Sequence, residues 1–404
     1  MSDPIVQVLS IVMVGQISLS VPLLISRFSA NATFIPLAVF LLACGLLAMN
    51  SIVATLFENA YLIYTALVFP TLFVLCPSLW FYIEGITSNT PWKFTKKHAL
   101  HGVLVIPALV VSVMIFMLPS DVHRAIFIDD ITANHPLVGT LLSTILIMMV
   151  LWLLQCVYTL YCITRRLNDY RKELKNVFSN NENKELKWVN WLLFSALCAW
   201  LFYLITLFAS SLFNNVLFTA RVEAFLSLIL LWSLAYFGLQ QQPALIGQGA
   251  YWLGDSKTEI KDQPNQKQHQ EDSHQQKYQR SALSQAQSVR IAEKINTAME
   301  NEQLYLDSSL SLQKLAKHTA ISPNYISQTL NETLGLNFFD YVNQWRIEAA
   351  KPHIIANQSS VLDIALAAGF NARSSFYKAF KQQTGVTPSE FRKQHTKDCV
   401  DKSL

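Results

Sequence analysis

Charged residues are scarce in this sequence. They make up 14% of its 404 residues, whereas 52% are hydrophobic, and the mean hydropathy is +0.28. Soluble chains carry about 25% charged residues, so the shortage excludes a disordered polymer and disfavours a wholly soluble enzyme. Residues 1–240 hold 13 Lys and Arg and 11 Asp and Glu, while the shorter stretch 241–404 holds 18 and 16. The first part is therefore predicted to lie in lipid and the second in water.

Motifs for catalysis and metal binding are also missing. The six cysteines form no CxxC pair, which excludes a zinc ribbon and a disulfide framework. The sequence has no HExxH motif of a metalloprotease and no GxSxG nucleophile elbow. Its last apolar run contains no lysine that could form a retinal Schiff base. We therefore expect no enzymatic activity, no catalytic residue, no cofactor and no metal site.

Seven apolar runs in the first part are long enough to cross a bilayer, which takes about 20 residues of helix. Core helices of a soluble protein are the alternative, but seven consecutive runs of this length disfavour it. The sequence thus predicts an all-α protein that begins with a seven-helix membrane domain over residues 1–240. The predicted spans are residues 5–26, 35–57, 60–83, 99–118, 137–161, 188–213 and 222–239.

The positive charges of the connections predict an orientation. If the C-terminus is cytoplasmic, seven spans place the N-terminus outside, and the first, third and fifth connections are cytoplasmic. These three connections carry 11 Lys and Arg, against only Arg124 and Arg221 on the other side. Because cytoplasmic loops are enriched in positive charge, the pattern supports both the orientation and an odd number of spans.

Ionisable residues collect at the predicted outer ends of the spans. The candidates for a pocket that binds a small external ligand are Glu58, His123, Arg221 and Glu223. Ionisable groups near lipid are costly and often functional. The alternative is that these side chains only lie in the polar headgroup layer.

The composition changes again after the last span. Residues 241–288 form an exit segment and a linker rich in Gln and Ser. Such a segment buries too little apolar area to fold, so it is predicted to be disordered. Amphipathic helix periodicity without strand alternation follows over residues 289–394, and a tail over residues 395–404 completes the chain.

Two helix-turn-helix units are predicted in residues 289–394. In the first, a short helix capped by Ser311 leads to a turn, and Ser322 and Pro323 begin the next helix. In the second, a short helix leads to a tight turn at Gly369 and a helix that Gly385 ends. A long helix over residues 338–357 joins them. A tandem of this kind is a stronger signal for DNA binding than a single unit.

This region resembles the DNA-binding domain of the AraC/XylS family of bacterial transcription regulators. The resemblance covers about a quarter of the chain and does not extend to the membrane part. The second unit carries it through Asp363-Ile364-Ala365, Gly369-Phe370, Ser374, Phe376, Lys378, Phe380-Lys381, Gly385, Thr387-Pro388 and Phe391-Arg392. The first unit carries it through Leu315-Ala316, Ser322-Pro323, Tyr325, Gly335, Tyr341, Arg346-Ile347 and Ala350.

The resemblance implies roles for nine residues. The expected contacts to base edges are Asn324, Ser327 and Gln328 in the first unit and Arg373, Ser374 and Lys378 in the second. The expected contacts to phosphates are Lys381, Arg392 and Lys393. Side chains near the N-terminus of a recognition helix reach the major groove, which gives these roles a physical basis.

Two features depart from the family pattern. The first unit has only Lys314 and Lys317 as basic residues before Arg346, so it is expected to bind DNA more weakly than the second. Pro352 falls inside the joining helix, where it removes a backbone donor and is expected to kink the helix.

Together these features predict a membrane-embedded transcription regulator of the bacterial inner membrane, multi-pass, with the N-terminus outside and the C-terminal domain in the cytoplasm. The expected partners are double-stranded promoter DNA, the lipid bilayer, RNA polymerase, a second copy in a homodimer, and an unknown small-molecule or membrane signal. The alternative is a membrane receptor or carrier whose helical C-terminal domain regulates it or docks a partner.

Overall fold

The computed structural model describes residues 3–28, 32–128, 135–182, 184–209, 220–241, 243–245 and 283–401. The chain divides into two compact units. Unit 1 comprises Met1–Asn168 and Leu186–Ile246, and unit 2 comprises Asp169–Glu185 and Gly247–Leu404. Within the described residues every regular element is helical, apart from one isolated antiparallel bridge between Phe178 and Ser311. The predicted all-α class is therefore confirmed for this part of the chain.

Helices α1 to α11 lie in unit 1, except that the last residues of α9 belong to the segment Asp169–Glu185 of unit 2. They are α1 Pro4–Ile25, α2 Phe34–Ala48, α3 Asn50–Leu56, α4 Tyr61–Val68, α5 Thr71–Ile86, α6 Lys96–Ala99, α7 Val105–Phe116, α8 Ser120–Phe127, α9 Pro136–Val177, α10 Lys187–Ala209 and α11 Ala220–Gln240.

Four helical stretches of unit 1 are long and apolar enough to cross a membrane: Pro4–Ile25, Phe34–Leu56, Pro136–Val177 and Ala220–Gln240. Two further stretches pass only as bent pairs. The helices of unit 1 expose large apolar side chains in many places, as in Leu19 of α1 and Trp191 of α10, each 72% exposed. Water would make such a surface costly, whereas lipid accepts it.

The predicted spans 60–83 and 99–118 are not single straight helices. The first is bent by 46° between Glu58–Val68 and Thr71–Ile86, and the second by 43° between Lys96–Gly102 and Val105–Phe116. Pro70 lies at the first bend, where the missing N–H interrupts the helix ladder. The described residues thus contain four to six candidate spans.

The remaining predicted span, residues 188–213, corresponds to α10, which is described as far as Ala209. Residues 210–213 lie outside the described residues, as do Asp129 and Asp130 of an outer connection. Most of the predicted linker, residues 246–282, also lies outside them.

Helices α12 to α18 build the C-terminal part of unit 2. They are α12 Gln285–Glu302, α13 Leu312–Thr319, α14 Pro323–Gln328, α15 Phe338–Ala356, α16 Val361–Ala367, α17 Arg373–Thr384 and α18 Pro388–Asp401.

Two hydrophobic cores support these helices, and α15 contributes to both. The first core contains Ile295, Leu315, Ile326, Leu330 and Val342. The second contains Ile347, Ile354, Ile364, Phe376 and Phe380. All ten of these side chains are buried, none more than 4% exposed. Each helix-turn-helix unit therefore has its own core, and the joining helix holds the two together.

Three boundaries differ from those predicted. Helix α12 begins at Gln285, inside the predicted linker, because Ser284 and Gln287 form a capping box. Helix α18 continues to Asp401, through most of the predicted tail. The segment Asp169–Glu185, which the sequence assigns to the membrane domain, belongs to unit 2, because it pairs with residues far along the chain.

Pro352, where the sequence predicts a kink, lies inside an unbroken joining helix. Helix α15 runs without a break from Phe338 to Ala356, with Pro352 inside it, and ends at Asn357 in the left-handed conformation with φ 52°. Pro352 stands little more than one turn from the C-terminus and is exposed.

Candidate nucleic-acid interface

The first helix-turn-helix unit pairs α13 with α14. Ser311 caps α13 by accepting a hydrogen bond from the N–H of Lys314 at 3.3 Å. Ala320 turns the chain in the left-handed conformation with φ 53°, and Pro323 begins α14. After Gln328 the helix widens into π-type turns over Thr329–Thr333.

The predicted base-contacting residues of this unit lie on α14, half-buried. Two of them bond within their own helix. Gln328 Nε2 donates to Glu332 Oε2 at 2.9 Å, and Asn331 Nδ2 donates to the carbonyl oxygen of Ser327 at 2.8 Å. An acidic side chain thus stands beside Gln328.

The second unit pairs α16 with α17 through the turn at Gly369. This glycine has φ +88°, and a Cβ placed on it would lie 2.6 Å from the carbonyl oxygen of Tyr305. Only glycine fits such a left-handed turn against a neighbouring backbone. The turn determines where α17 begins, at Arg373.

The first two turns of α17 present Arg373, Ser374 and Lys378, all exposed. We call these three residues the reading face. The Arg373 guanidinium donates to Tyr377 Oη at 2.9 Å and lies 4.9 Å from the centre of that ring. The hydrogen bond from Arg373 lowers the pKa of Tyr377. A tyrosine one turn along the helix therefore holds the guanidinium over the N-terminal turn.

Ser374 already has a partner within unit 2. Its Oγ donates to Glu182 Oε1 at 2.9 Å, a residue 192 positions earlier in the chain. Glu182 belongs to the segment Asp169–Glu185. The reading face thus faces a carboxylate from this segment.

The predicted phosphate contacts differ in their surroundings. Lys381 and Lys393 are exposed. Arg392 is half-buried, and its Nε donates to the carbonyl oxygen of Ile354 at 2.9 Å, near the C-terminus of α15. Part of the Arg392 guanidinium therefore holds the end of the joining helix.

Helix α18 begins with a capping box of Thr387 and Glu390. Glu390 Oε2 accepts from the N–H of Thr387 at 2.7 Å and from its hydroxyl at 2.8 Å. The backbone and side-chain hydrogen bonds from Thr387 lower the pKa of Glu390, and Lys381 and Lys393 lower it further. Glu390, the one acidic residue between Arg373 and Lys397, therefore forms part of the helix cap.

Arg346 has a role that the sequence did not predict. It is 1% exposed on α15, and burial lowers its pKa to about 10. Its Nε donates to the carbonyl oxygen of Tyr305 at 2.7 Å, and one terminal nitrogen donates to that of Asp307 at 2.8 Å. It also donates to Ser179, to the carbonyl oxygen at 3.3 Å and to Oγ at 3.2 Å. The sequence feature that could have revealed these buried hydrogen bonds is a basic residue on the apolar face of a helix.

Among the four residues predicted to line a ligand pocket in unit 1, three contact a different partner each. Glu58 pairs with Arg124 at 2.6 Å, and His123 is buried with Nε2 2.7 Å from Thr65 Oγ1. Burial lowers the pKa of His123. Arg221 pairs with Asp3, and Glu223 lies in the first turn of α11. Within the described residues, no group of three His, Cys, Asp or Glu side chains is placed to hold a metal ion.

Comparison with known proteins places the C-terminal helices in a known domain class. A family model described as a helix-turn-helix domain matches residues 315–394. An uncharacterized HTH-type transcriptional regulator from Staphylococcus aureus (strain COL) is 33% identical over 106 residues, which are 26% of this chain and 14% of that protein. The HTH-type regulator YtdP from Bacillus subtilis (strain 168) is 29% identical over 113 residues, 28% of this chain and 14% of YtdP.

Among solved structures, the C-terminal domain of the two-component response regulator yesN from Fusobacterium nucleatum is 29% identical, with a TM-score of 0.24. It covers 26% of this chain, and the match spans 98% of that domain. The matched part of this chain spans only 14% of the length of each curated relative named above. Its C-terminal region is an AraC-type helix-turn-helix domain.

Proposed function

We propose that this chain is a membrane-embedded, sequence-specific transcription regulator that binds promoter DNA through its C-terminal domain. The observation that carries the proposal is the reading face, where Arg373, Ser374 and Lys378 lie exposed on the first two turns of α17. The relatives that share this domain are named transcriptional regulators, which supports a DNA-binding function rather than an enzymatic one.

The chemistry of the reading face suits the major groove. Arg and Lys donate to the two acceptors of guanine, and Ser bonds to several base edges. The exposed Lys381 and Lys393 suit phosphate oxygens, which give affinity without sequence information. Asn324, Ser327 and Gln328 of the first unit would read an adjacent stretch about one helical turn away, roughly 34 Å. We expect the second unit to provide most of the binding energy.

Footprinting with residues 281–404 is expected to protect a defined DNA site. Arg373→Ala should cost about 1–3 kcal/mol at the guanine it contacts and relax the preference there. Lys393→Ala should weaken binding to all sequences by a similar factor, because it loses only a phosphate contact. The two variants are matched, since each removes one exposed cation. Binding that shows no sequence preference even in the unchanged fragment would contradict the proposal.

For the membrane part we propose seven spans with the N-terminus outside and the C-terminal domain in the cytoplasm. The four to six candidate spans among the described residues, together with α10, are consistent with this number. The distribution of Lys and Arg over the connections supports the orientation. The inner membrane of a bacterium is the membrane that gives such a domain access to DNA.

Reporter fusions test this topology. Fusions after Asp130 and after Asn180 are expected to report opposite sides of the membrane, with Asn180 cytoplasmic. The physical reason is the charge of the connection that contains Asn180, which includes Arg165, Arg166 and Arg171. A fusion after Arg27 serves as the control, because it belongs to the same predicted side as Asn180. The same side for Asp130 and Asn180 would rule out the seven-span arrangement.

We further propose that the membrane domain responds to a small-molecule or membrane signal, and that two copies bind neighbouring sites on promoter DNA. Pairing of two DNA-binding domains raises their effective concentration at adjacent sites. RNA polymerase is the expected partner at the promoter. Genome-wide mapping of bound DNA would identify the targets. A receptor or carrier with a docking tail would give no reproducible DNA sites in that experiment.

A further inference from the structure

The connection between α9 and α10 packs against the DNA-binding domain. We call residues 178–182, 184 and 185 the docking segment, which begins directly after α9 ends at Val177. Phe178 forms an antiparallel bridge with Ser311, the cap of α13. The N–H of Ser179 donates to the carbonyl oxygen of Leu310 at 3.2 Å, and Ser179 Oγ donates to the same oxygen at 2.6 Å. The segment therefore adds a short stretch of paired backbone to the first helix-turn-helix unit.

Burial shows that this contact is close. Phe178, Ser179 and Asn181 are all buried, with Ser179 only 1% exposed. Lys184 Nζ lies 3.2 Å from the centre of the Phe178 ring, so a cation covers its face. A cleft lined by Phe178, Lys184, Ser309 and Asn371 runs along the contact. A connection that only joined two helices would not need to bury its polar residues in this way.

Arg346 ties the docking segment to the domain through a buried charge. The guanidinium bonds to the domain's own Tyr305 and Asp307 and to Ser179 of the segment. A buried guanidinium is stable only when its donors are paired. Release of the segment would take two acceptors from Arg346, which water would have to replace. The docked arrangement is thus favoured by a buried guanidinium of the domain itself.

The docking segment reaches the reading face at one residue. Glu182 Oε1 accepts from Ser374 Oγ at 2.9 Å, and Asn180 Oδ1 accepts from the N–H of Glu182 at 3.3 Å, which shapes the turn. Ser374 lies in the first turn of α17, where free N–H groups and the helix dipole favour an anion. The carboxylate of Glu182 therefore holds the hydroxyl that the proposed function assigns to a base edge. Because DNA is also anionic, the two cannot be held there together.

Resting on the proposed function, we propose that the docking segment is an intramolecular competitor of DNA, whose carboxylate at Glu182 masks the reading face at Ser374 while Ser179 anchors the segment to Arg346. Binding of promoter DNA and attachment of the docking segment exclude each other at α17. The segment is the covalent connection between α9 and α10, and α9 is one continuous helix from Pro136 to Val177. A signal that displaces either helix would pull on the docking segment. The DNA-binding domain would then be regulated by a segment of its own chain.

The test uses the full chain in lipid nanodiscs and the DNA site found by footprinting. Glu182→Gln keeps the size of the side chain and removes its charge. We expect it to tighten binding about fivefold to tenfold, because a charge-assisted hydrogen bond no longer competes. Glu300→Gln is the matched control, since it removes the same charge from an exposed position on α12 and should leave the affinity within twofold.

Hydrogen exchange gives a second readout on the unchanged chain. The Ser179 amide, bonded to Leu310, should exchange slowly without DNA and much faster when the site is saturated with DNA. Equal affinities for the unchanged chain and Glu182→Gln, with Ser179 still protected in the DNA complex, would overturn the competition. If no variant bound any DNA site, the proposed function itself would fail, and that result is distinct from the first.

Discussion

Gly369→Ala is expected to destabilise the C-terminal domain by about 3 kcal/mol or more and to abolish sequence-specific DNA binding. The glycine has φ +88°, and an L side chain in the left-handed region costs about 1–2 kcal/mol. The added Cβ would also lie 2.6 Å from the carbonyl oxygen of Tyr305 and 2.8 Å from that of Leu306. Both are backbone atoms, so the turn or the segment Leu304–Leu306 must move. Urea unfolding of residues 281–404, followed by circular dichroism, measures the loss.

Gly335→Ala is the matched control for this effect. Gly335 also has a positive φ, +68°, but no atom lies within 4 Å of the position its Cβ would take. Backbone strain alone therefore destabilises this variant, by about 1–2 kcal/mol. The difference between the two variants measures the clash at the turn before α17. Equal losses in both would show that the close approach to Tyr305 and Leu306 does not constrain the domain.

The local features of the DNA-binding domain were predictable because short-range rules govern them. A Ser cap, a Pro in the first turn and glycines at tight turns define where helices start and end within a few residues. The predicted ends near Ser311, Pro323 and Gly385 agree with the observed helices α13, α14 and α17. Amphipathic periodicity without strand alternation predicted that this region is helical.

The contacts of the docking segment were not predictable, because they join residues far apart in sequence. Ser179 meets Leu310 and Arg346, which are 131 and 167 positions away. Residues 165–187 read as a charged cytoplasmic connection by composition, and composition says nothing about a distant partner. The same limit applies to Arg346, whose place on α15 was evident but whose acceptors come from two other parts of the chain, Tyr305–Asp307 and Ser179.

The apolar runs predicted membrane helices but not their bends. A hydropathy pattern counts residues and is blind to a break such as the one at Pro70, where α4 and α5 diverge by 46°. For a related reason, the sequence did not predict the partners of the residues proposed for a ligand pocket. Arg221 pairs with Asp3, whereas Glu58 pairs with Arg124, and these pairings depend on how helices pack. Charge at span ends shows which side a residue lies on, but not which partner it meets.

Arg346→Met is expected to cost the full chain about 2–6 kcal/mol of stability in unit 2, because two buried carbonyl oxygens of the domain lose their donor at about 1–3 kcal/mol each. Methionine restores most of the volume and none of the donors. The carbonyl oxygens of Tyr305 and Asp307 would lose their partner inside the domain, and each unpaired buried acceptor costs about 1–3 kcal/mol. Ser179 would lose the same partner, so the docking segment should also exchange its amide hydrogens faster. Hydrogen exchange of unit 2 residues in nanodiscs measures both effects in one experiment.

Lys351→Met is the matched control on the same helix, because it also replaces a cation with methionine. Lys351 pairs with Glu348 at 2.6 Å across one turn, and an exposed pair of this kind contributes only about 0.2–0.5 kcal/mol. A similar small loss for Arg346→Met would mean that water replaces the guanidinium without cost. A large loss confined to Arg346→Met would show that one buried side chain supports both the fold of the domain and the attachment of the docking segment. A mutation that weakens the attachment through Arg346 would then also weaken the fold, whereas Glu182 is half-buried and joins the segment to α17 through one hydrogen bond to Ser374.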